Sequence, residues 1–167
     1  STASAATLGA SASGVKSGGN LSVTTIERSS IVSDVEAASI SVGVGAGGAT
    51  AVSISFGMAR NTLRSEAWAT LAAGQAVVVA GDVVVTVERK GAIEATATAT
   101  AVAVAAGVKS SLAVAGGGAI AVNTILGGSR AAIRDSDISA GGHVDVLAVD
   151  AARIDALVRA AAVAVGV

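Results

Sequence analysis

The sequence predicts an all-β fold, a parallel β-solenoid, and three observations favour it. The chain repeats itself, apolar residues alternate with polar ones, and the side chains are small. Its 167 residues include 21 glycines, one Trp, one Phe, no Tyr and no Pro, and most of the 52% that are hydrophobic are Ala or Val. We therefore expect a thin core, because such side chains have little bulk to fill a thick one.

An internal repeat supports this interpretation. The windows 19–44, 81–106 and 142–167 align without a gap, and their starts are almost evenly spaced along the chain. Equivalent positions should share a conformation. The segment 150–166 resembles a helix when taken alone, but the window that contains its equivalent begins with 81–93, which is rich in β-branched residues at strand spacing. We therefore expect strands in all three windows.

The alternation within each window predicts which side chains face the core. In 93–100 an isoleucine and three alanines share one face, and three threonines share the other. Asp34, Glu36 and Arg159 occupy threonine positions in the other windows, so the threonine face should be outward. The predicted inward residues are Ile31, Ser33, Val35, Ala37, Ile93, Ala95, Ala97, Ala99, Ile154, Ala156, Val158 and Ala160. Val102 and Val104 have the opposite parity, which predicts a bend or bulge after Ala99.

The spacing of apolar pairs predicts about three coils in each 61–62-residue repeat. Pairs recur at 83/85, 102/104, 120/122 and 144/146, and the steps between them are unequal. Unequal coils of this kind suit a right-handed solenoid better than a strict triangle does. Gly/Ser clusters are the predicted corners, and they lie at 45–48, 115–118, 126–129 and 139–142.

We expect residues 1–167 to form a single solenoid segment. Solenoids need capping units over their terminal strand edges, and the sequence shows none. It stops within a repeat, at "AVAVGV". We therefore expect a segment of a longer repetitive chain; otherwise, open ends predict head-to-tail stacking of copies.

Composition weakens the case for several classes of partner. A net charge of −1 gives no reason to expect nucleic acid. The absence of Cys excludes disulfides and thiolate metal sites. Residues 37–59 carry no charge and 95–129 only Lys109, but their Gly, Ser and Thr content argues against a membrane span.

Few residues suggest chemistry. His143 matches Asn20 and Asp82 in the repeat, which favours a polar turn position over a general base. Asp135 and Asp137 could offer oxygens to Ca²⁺, but nearby arginines favour exposed turn carboxylates.

Carboxylate pairs for sugar chemistry are worth testing, because some parallel β-helices cleave polysaccharides. The candidates are Asp82, Glu88, Glu94 and Asp145, but Trp68 alone is no aromatic platform. We predict no catalytic, cofactor-binding or metal-binding residues, no cofactor and no enzymatic activity. A carbohydrate-binding or carbohydrate-cleaving β-helix domain is the alternative hypothesis.

The stretch 119–152 resembles the repeats of very large secreted bacterial adhesins, the filamentous haemagglutinin-like and leukotoxin-type filamentous adhesins. The similarity includes an Ala-Val-Asn step, Ala121-Val122-Asn123, and the stretch from Ala131 to Val146. In the first repeat we take "AVSIS" at 51–55 as the equivalent of the Ala-Val-Asn step. The resemblance implies an extracellular stalk at the bacterial surface, with binding activity elsewhere in the giant chain. Its partners would be neighbouring repeats, copies of itself, or a cell surface or glycan.

Overall fold

The computed structural model describes residues 2–9, 14–72 and 76–167, and over 2–9 it describes the backbone alone. Almost all of these residues lie in strands, and none is helical. The strands of the described ranges are β1 (Thr2–Gly9), β2 (Val15–Ser17), β3 (Leu21–Gly45), β4 (Ala49–Ala72), β5 (Ala76–Val79), β6 (Val83–Gly107), β7 (Ser111–Arg134), β8 (Asp137–Ala140) and β9 (Val144–Gly166).

These strands form three sheets in which each strand pairs with its equivalent in the next repeat. The sheet orders are β1-β4-β7, β2-β5-β8 and β3-β6-β9. Pairing is parallel, with Val15 beside Val77 and Ala76 beside Asp137. The predicted parallel β-solenoid is confirmed.

The predicted number of coils is wrong, because one repeat makes one coil and not three. Strands that lie side by side are one whole repeat apart in sequence, as in the pairing of Lys16 with Val78. The long strands run for 23 to 25 residues without a corner. Of the apolar pairs that suggested shorter coils, 83/85 and 102/104 lie on the same strand, β6, whereas 120/122 lies on β7 and 144/146 on β9.

Contacts divide the chain into two units, and the long strands contribute to both. Unit 1 comprises 1–30, 62–92 and 125–153, and unit 2 comprises 31–61, 93–124 and 154–167. In unit 1 all three sheets surround one aliphatic core. Its fully buried members include Leu71, Val77, Val83, Val85 and Val87.

Unit 2 has a thinner core of alanine, serine and glycine. In β6 the inward residues from Ala95 to Ala105 are all alanine and at most 1% exposed. The facing strands β3 and β4 approach closely, as shown by the Ser53 hydroxyl, which donates to the Ser39 carbonyl oxygen at 2.9 Å. A Cβ added to Gly57 would lie 2.9 Å from the Thr98 carbonyl oxygen. Small inward residues are thus a condition for this close approach.

The predicted inward face is confirmed for Ile93, Ala95, Ala97 and Ala99, which are buried. The predicted bend after Ala99 is wrong: β6 continues unbroken, and its alternation buries alanines instead of Val102 and Val104. Around Ala103 and Ala105 the interior packs alanine against alanine, so Val102 and Val104 take the outward positions. The inward residues of β9 remain exposed because no described strand covers them. Ile154, for example, is 46% exposed.

Two of the four predicted corners are turns. β3 ends at Gly45 before a turn at 46–48, and β8 ends before a turn at 141–142. The clusters 115–118 and 126–129 lie inside β7 instead. Within the first of these clusters Gly117 permits close approach to a neighbouring backbone, since a Cβ there would lie 2.7 Å from the Ala161 carbonyl oxygen.

Candidate functional site

A column of inward-facing charged residues crosses the three strands of one sheet in unit 1. Glu27, Arg89 and Asp150 occupy matching positions of β3, β6 and β9, because the spacing between them is the repeat spacing. Their charges alternate in sign along the stack. We call these three residues the charged column.

Arg89 is the best-satisfied member of the charged column. It is 3% exposed and donates from Nε to Oδ2 of Asp150 at 3.0 Å, and from Nη2 to both carboxylate oxygens at 2.8 and 2.9 Å. Its Nη1 donates to the Ser65 hydroxyl at 2.8 Å and to the Ser65 carbonyl oxygen at 3.2 Å. Such a bidentate pair is among the strong polar contacts of a protein. It fixes β6 against β9 and against β4.

Gly127 makes room for this arrangement. Its φ of +140° is rarely adopted by residues with a side chain. A Cβ there would overlap the Ser65 carbonyl oxygen and would lie 3.0 Å from Arg89 Nη1. The cluster 126–129 therefore serves the charged column and is not a corner.

Glu27 is the unsatisfied member of the charged column. It is 2% exposed, yet neither carboxylate oxygen has a hydrogen-bond partner in the part of the chain that the structure describes. Arg89, one strand away, directs its donors to Asp150 and Ser65 instead. Burying a carboxylate without hydrogen bonds is costly. Among the described residues, Glu27 therefore lacks the donor or cation that a buried carboxylate needs.

A second column lies in the turns before β3, β6 and β9. The Asn20 side-chain oxygen accepts from the Asp82 backbone N–H at 2.9 Å, and Asp82 Oδ1 accepts from the His143 N–H at 2.8 Å. The predicted polar turn position is confirmed for all three residues. The side chains of Asn20 and Asp82 each satisfy a backbone donor of the following coil.

An amide pair links coils within unit 2. The Asn61 side-chain nitrogen donates to Asn123 Oδ1 at 2.8 Å, one repeat further along the chain. The equivalent of Ala121-Val122-Asn123 in the first repeat is thus Ala59-Arg60-Asn61, and our assignment of "AVSIS" to that position is wrong. The error followed from comparing residue types before the coil length was known.

The carboxylates proposed for sugar chemistry occupy separate settings. Glu88 forms an ion pair with Lys90 on the outer face of β6. The hydrogen bond and charge of Lys90 hold the pKa of Glu88 below its ordinary value, with a smaller contribution from Arg28. Asp82 lies in a turn, and Asp145 is exposed on β9.

Glu94 is the fourth of these carboxylates, and it lies in unit 2. It lines a shallow hollow with Asp155, a carboxylate that is not among the four candidates. The hollow lies between β6 and β9 and is completed by Thr96 and Leu157. Glu94 and Asp155 are one repeat apart in sequence, and this spacing is the signal that could have paired them.

The remaining candidates lie in unit 1. Asp135 has a φ of +49° in the turn between β7 and β8, where the Ser136 hydroxyl donates to the Arg134 carbonyl oxygen at 2.7 Å. Asp137 begins β8. Among the described residues, no three His, Cys, Asp or Glu side chains group as metal ligands would. Trp68 is outward on β4 and 48% exposed.

The outer faces of unit 2 are aliphatic. On β3 the residues Ile40, Val42 and Val44 are between 67% and 82% exposed. On β4 four consecutive outward residues are apolar and more than half exposed: Val52, Ile54, Phe56 and Met58. The larger apolar side chains are thus outside and the smaller ones inside.

Sequence reasoning missed the charged column. Its signal was present, since one aligned position carries Glu, Arg and Asp in turn, on the face that carries Val23, Val85 and Val146 earlier in each strand. We treated charged residues as outward by default. An inward charge shows only once its parity is compared with that of the neighbouring valines.

Comparison with known proteins adds no relative. No family model, no curated protein and no solved structure matches the chain. Within the described residues no helix is long and apolar enough to cross a membrane.

Proposed function

We propose that this chain is a structural segment of the stalk or filament of a giant extracellular bacterial adhesin-like protein, without catalytic activity, and that it extends by stacking coil on coil. One observation carries the proposal: side chains at equivalent repeat positions bind each other from coil to coil. Arg89 binds Asp150, and Asn61 binds Asn123. Nearest-neighbour contacts of this kind are how solenoids gain stability.

The turns support the same role. One column of hydrogen bonds runs through three coils at Asn20, Asp82 and His143. In it, a side chain of one coil accepts a hydrogen bond from the backbone of the next. A spacer needs such continuity along its length, whereas an enzyme needs reactive groups that converge on one place. The carboxylates considered for sugar chemistry are distributed over a turn, an ion pair, a shallow hollow and an exposed strand. This distribution favours the structural role.

The location at the bacterial surface is supported by the resemblance of 119–152 to adhesin repeats. It is tested by antibodies raised against the isolated chain. We expect them to label intact producing cells, and brief protease treatment of intact cells should remove the label. An antibody to a cytoplasmic protein is the control and should label permeabilised cells alone. Labelling of our chain only after permeabilisation would contradict the proposal.

Carbohydrate recognition is the competing proposal, and the exposed indole of Trp68 is the observation in its favour. We expect no retention of the chain on immobilised polysaccharides and no release of reducing ends from them. Retention that disappears in Trp68→Ala but persists in Phe56→Ala would support the competing proposal. Release of sugar that disappears in Glu88→Gln or Glu94→Gln would support a cleaving domain.

A further inference from the structure

The charged column indicates what charge a coil bound next to β3 should carry at its inward position. Reading along the stack, the inward charges are negative at Glu27, positive at Arg89 and negative at Asp150. Arg89 and Asp150 satisfy each other, and Glu27 is buried without a partner among the described residues. In the described part of the chain, β3 pairs only with β6, so its other edge is free to take a strand.

A second copy of the chain is a poor occupant of that edge. Among the described strands, the other free edge of the same sheet is that of β9. Continuing the repeat register would place Asp150 of one copy beside Glu27 of the next. Two inward carboxylates one strand apart repel, and the interior of unit 1 screens them less than water would. The junction would therefore place two negative charges next to each other.

A coil of different sequence solves the problem. An inward arginine or lysine over Glu27 would repeat the arrangement that Arg89 makes with Asp150, where three hydrogen bonds join two coils. It would also satisfy the buried oxygens of Glu27. The alternation of sign along the column would then continue.

We propose that the β3 edge accepts a parallel β-coil carrying an inward arginine or lysine over Glu27, and that Glu27 and Asp150 together prevent the chain from stacking on itself. The inference rests on the proposed function, because it concerns how a stacked solenoid is extended. It goes further in naming the chemistry of the neighbour and in excluding the copy itself. Glu27 therefore acts as a selectivity residue for the coil beside it.

The test measures self-association by analytical ultracentrifugation over a range of concentrations. Glu27→Gln and Asp150→Asn each remove one charge from the junction. We expect each variant to self-associate on the order of tenfold more tightly than the natural chain. Asp145→Asn is the matched control, because Asp145 lies on the outer face of β9, where the equivalent residue of β3 is the uncharged Ser22. It should leave self-association unchanged.

A charge-inverted chain gives the complementary arm. The triple variant Glu27→Arg, Arg89→Glu and Asp150→Arg keeps the alternation within one chain but reverses every sign. We expect it and the natural chain to stack poorly alone, and an equimolar mixture to form mixed assemblies on the order of tenfold more tightly. Only the mixture has a cation over each carboxylate at every junction.

The outcomes separate this inference from the proposed function. The inference is overturned if the natural chain stacks as tightly as Glu27→Gln and Asp150→Asn, or if the mixture is no tighter than its components. Should circular dichroism show that the triple variant does not fold, the two neutral variants decide. Surface labelling that fails while the mixture assembles would reject the adhesin role and leave the pairing rule standing.

Discussion

Arg89 binds Asp150 through two of its nitrogens and Ser65 through the third, so one buried guanidinium joins three strands of unit 1. The residue that replaces Arg89 one coil earlier is Glu27, and the one that replaces it one coil later is Asp150. The repeat therefore retains an inward charged residue at this position, while the sign of the charge changes from coil to coil. Neighbouring coils of this solenoid therefore present different side chains to each other at this position.

Removing Arg89 should destabilise the chain strongly. Arg89→Met keeps much of the side-chain volume but leaves Asp150 without its cation. We expect a loss of roughly 3 kcal/mol in the free energy of unfolding, near the low end for a broken buried pair because Asp150 is about a third exposed. Urea denaturation followed by circular dichroism measures it. Lys90→Met on the outer face is the control and should cost less than about 1 kcal/mol; equal losses would show that burial of Arg89 adds nothing.

Gly127 and Gly128 form a matched pair for the close approach beside Arg89. Gly127→Ala introduces a methyl group against the Ser65 carbonyl oxygen at a positive φ, whereas a Cβ on Gly128 meets nothing within 4 Å. We expect Gly127→Ala to cost at least about 2 kcal/mol, combining steric overlap and backbone strain. Gly128→Ala should be neutral within about 0.5 kcal/mol. Melting temperatures of the two variants compare them directly, and similar values would refute the required approach.

The thin core of unit 2 predicts that substitutions at two adjacent residues of β6 differ in their effect on stability. Ala101 is fully buried, so Ala101→Leu should cost about 1–3 kcal/mol by overpacking. Val102 points outward, and Val102→Thr keeps its β-branched shape and should cost less than about 0.5 kcal/mol. Chemical denaturation of both variants provides the comparison. A larger loss for Val102→Thr would mean that the valine, not the alanine, faces the core.

The outer-face pair of Glu88 and Lys90 predicts a pH effect of known sign. The pKa of Glu88 is lower in the folded chain than its ordinary value, so the unfolded chain binds more protons as the pH falls. The contribution of the pair is complete above the ordinary range of glutamate and fades as the pH falls through the lowered pKa. Carboxyl NMR titration should show that Lys90→Gln raises the pKa of Glu88. Lys109→Gln, in the turn after β6, should leave it in place; no change in Lys90→Gln would contradict the assignment.

Sequence reasoning succeeded where a pattern repeats and failed where it required knowledge of the opposite strand. The alignment of 19–44 with 81–106 identified β3 and β6 as equivalent strands, and the alternation from Ile93 to Ala99 identified the inward face. The coil length was wrong, because apolar pairs along one strand look the same as pairs at successive coils. The parity of Val102 was wrong, because we assumed that the larger apolar residue must be the buried one.

The sequence by itself determined a parallel stack of equivalent strands. A long repeat with a two-residue alternation can bury the apolar face of each strand if equivalent strands lie side by side. Only the tertiary structure decided which residues meet. The close approach of the facing strands, seen in the contact of Ser53 with Ser39, makes alanine the inward residue and valine the outward one from Ala101 to Ala105 of β6. The coil length, set by hydrogen bonding across the whole sheet, brings Arg89 to Asp150 and leaves the buried Glu27 without a partner among the described residues.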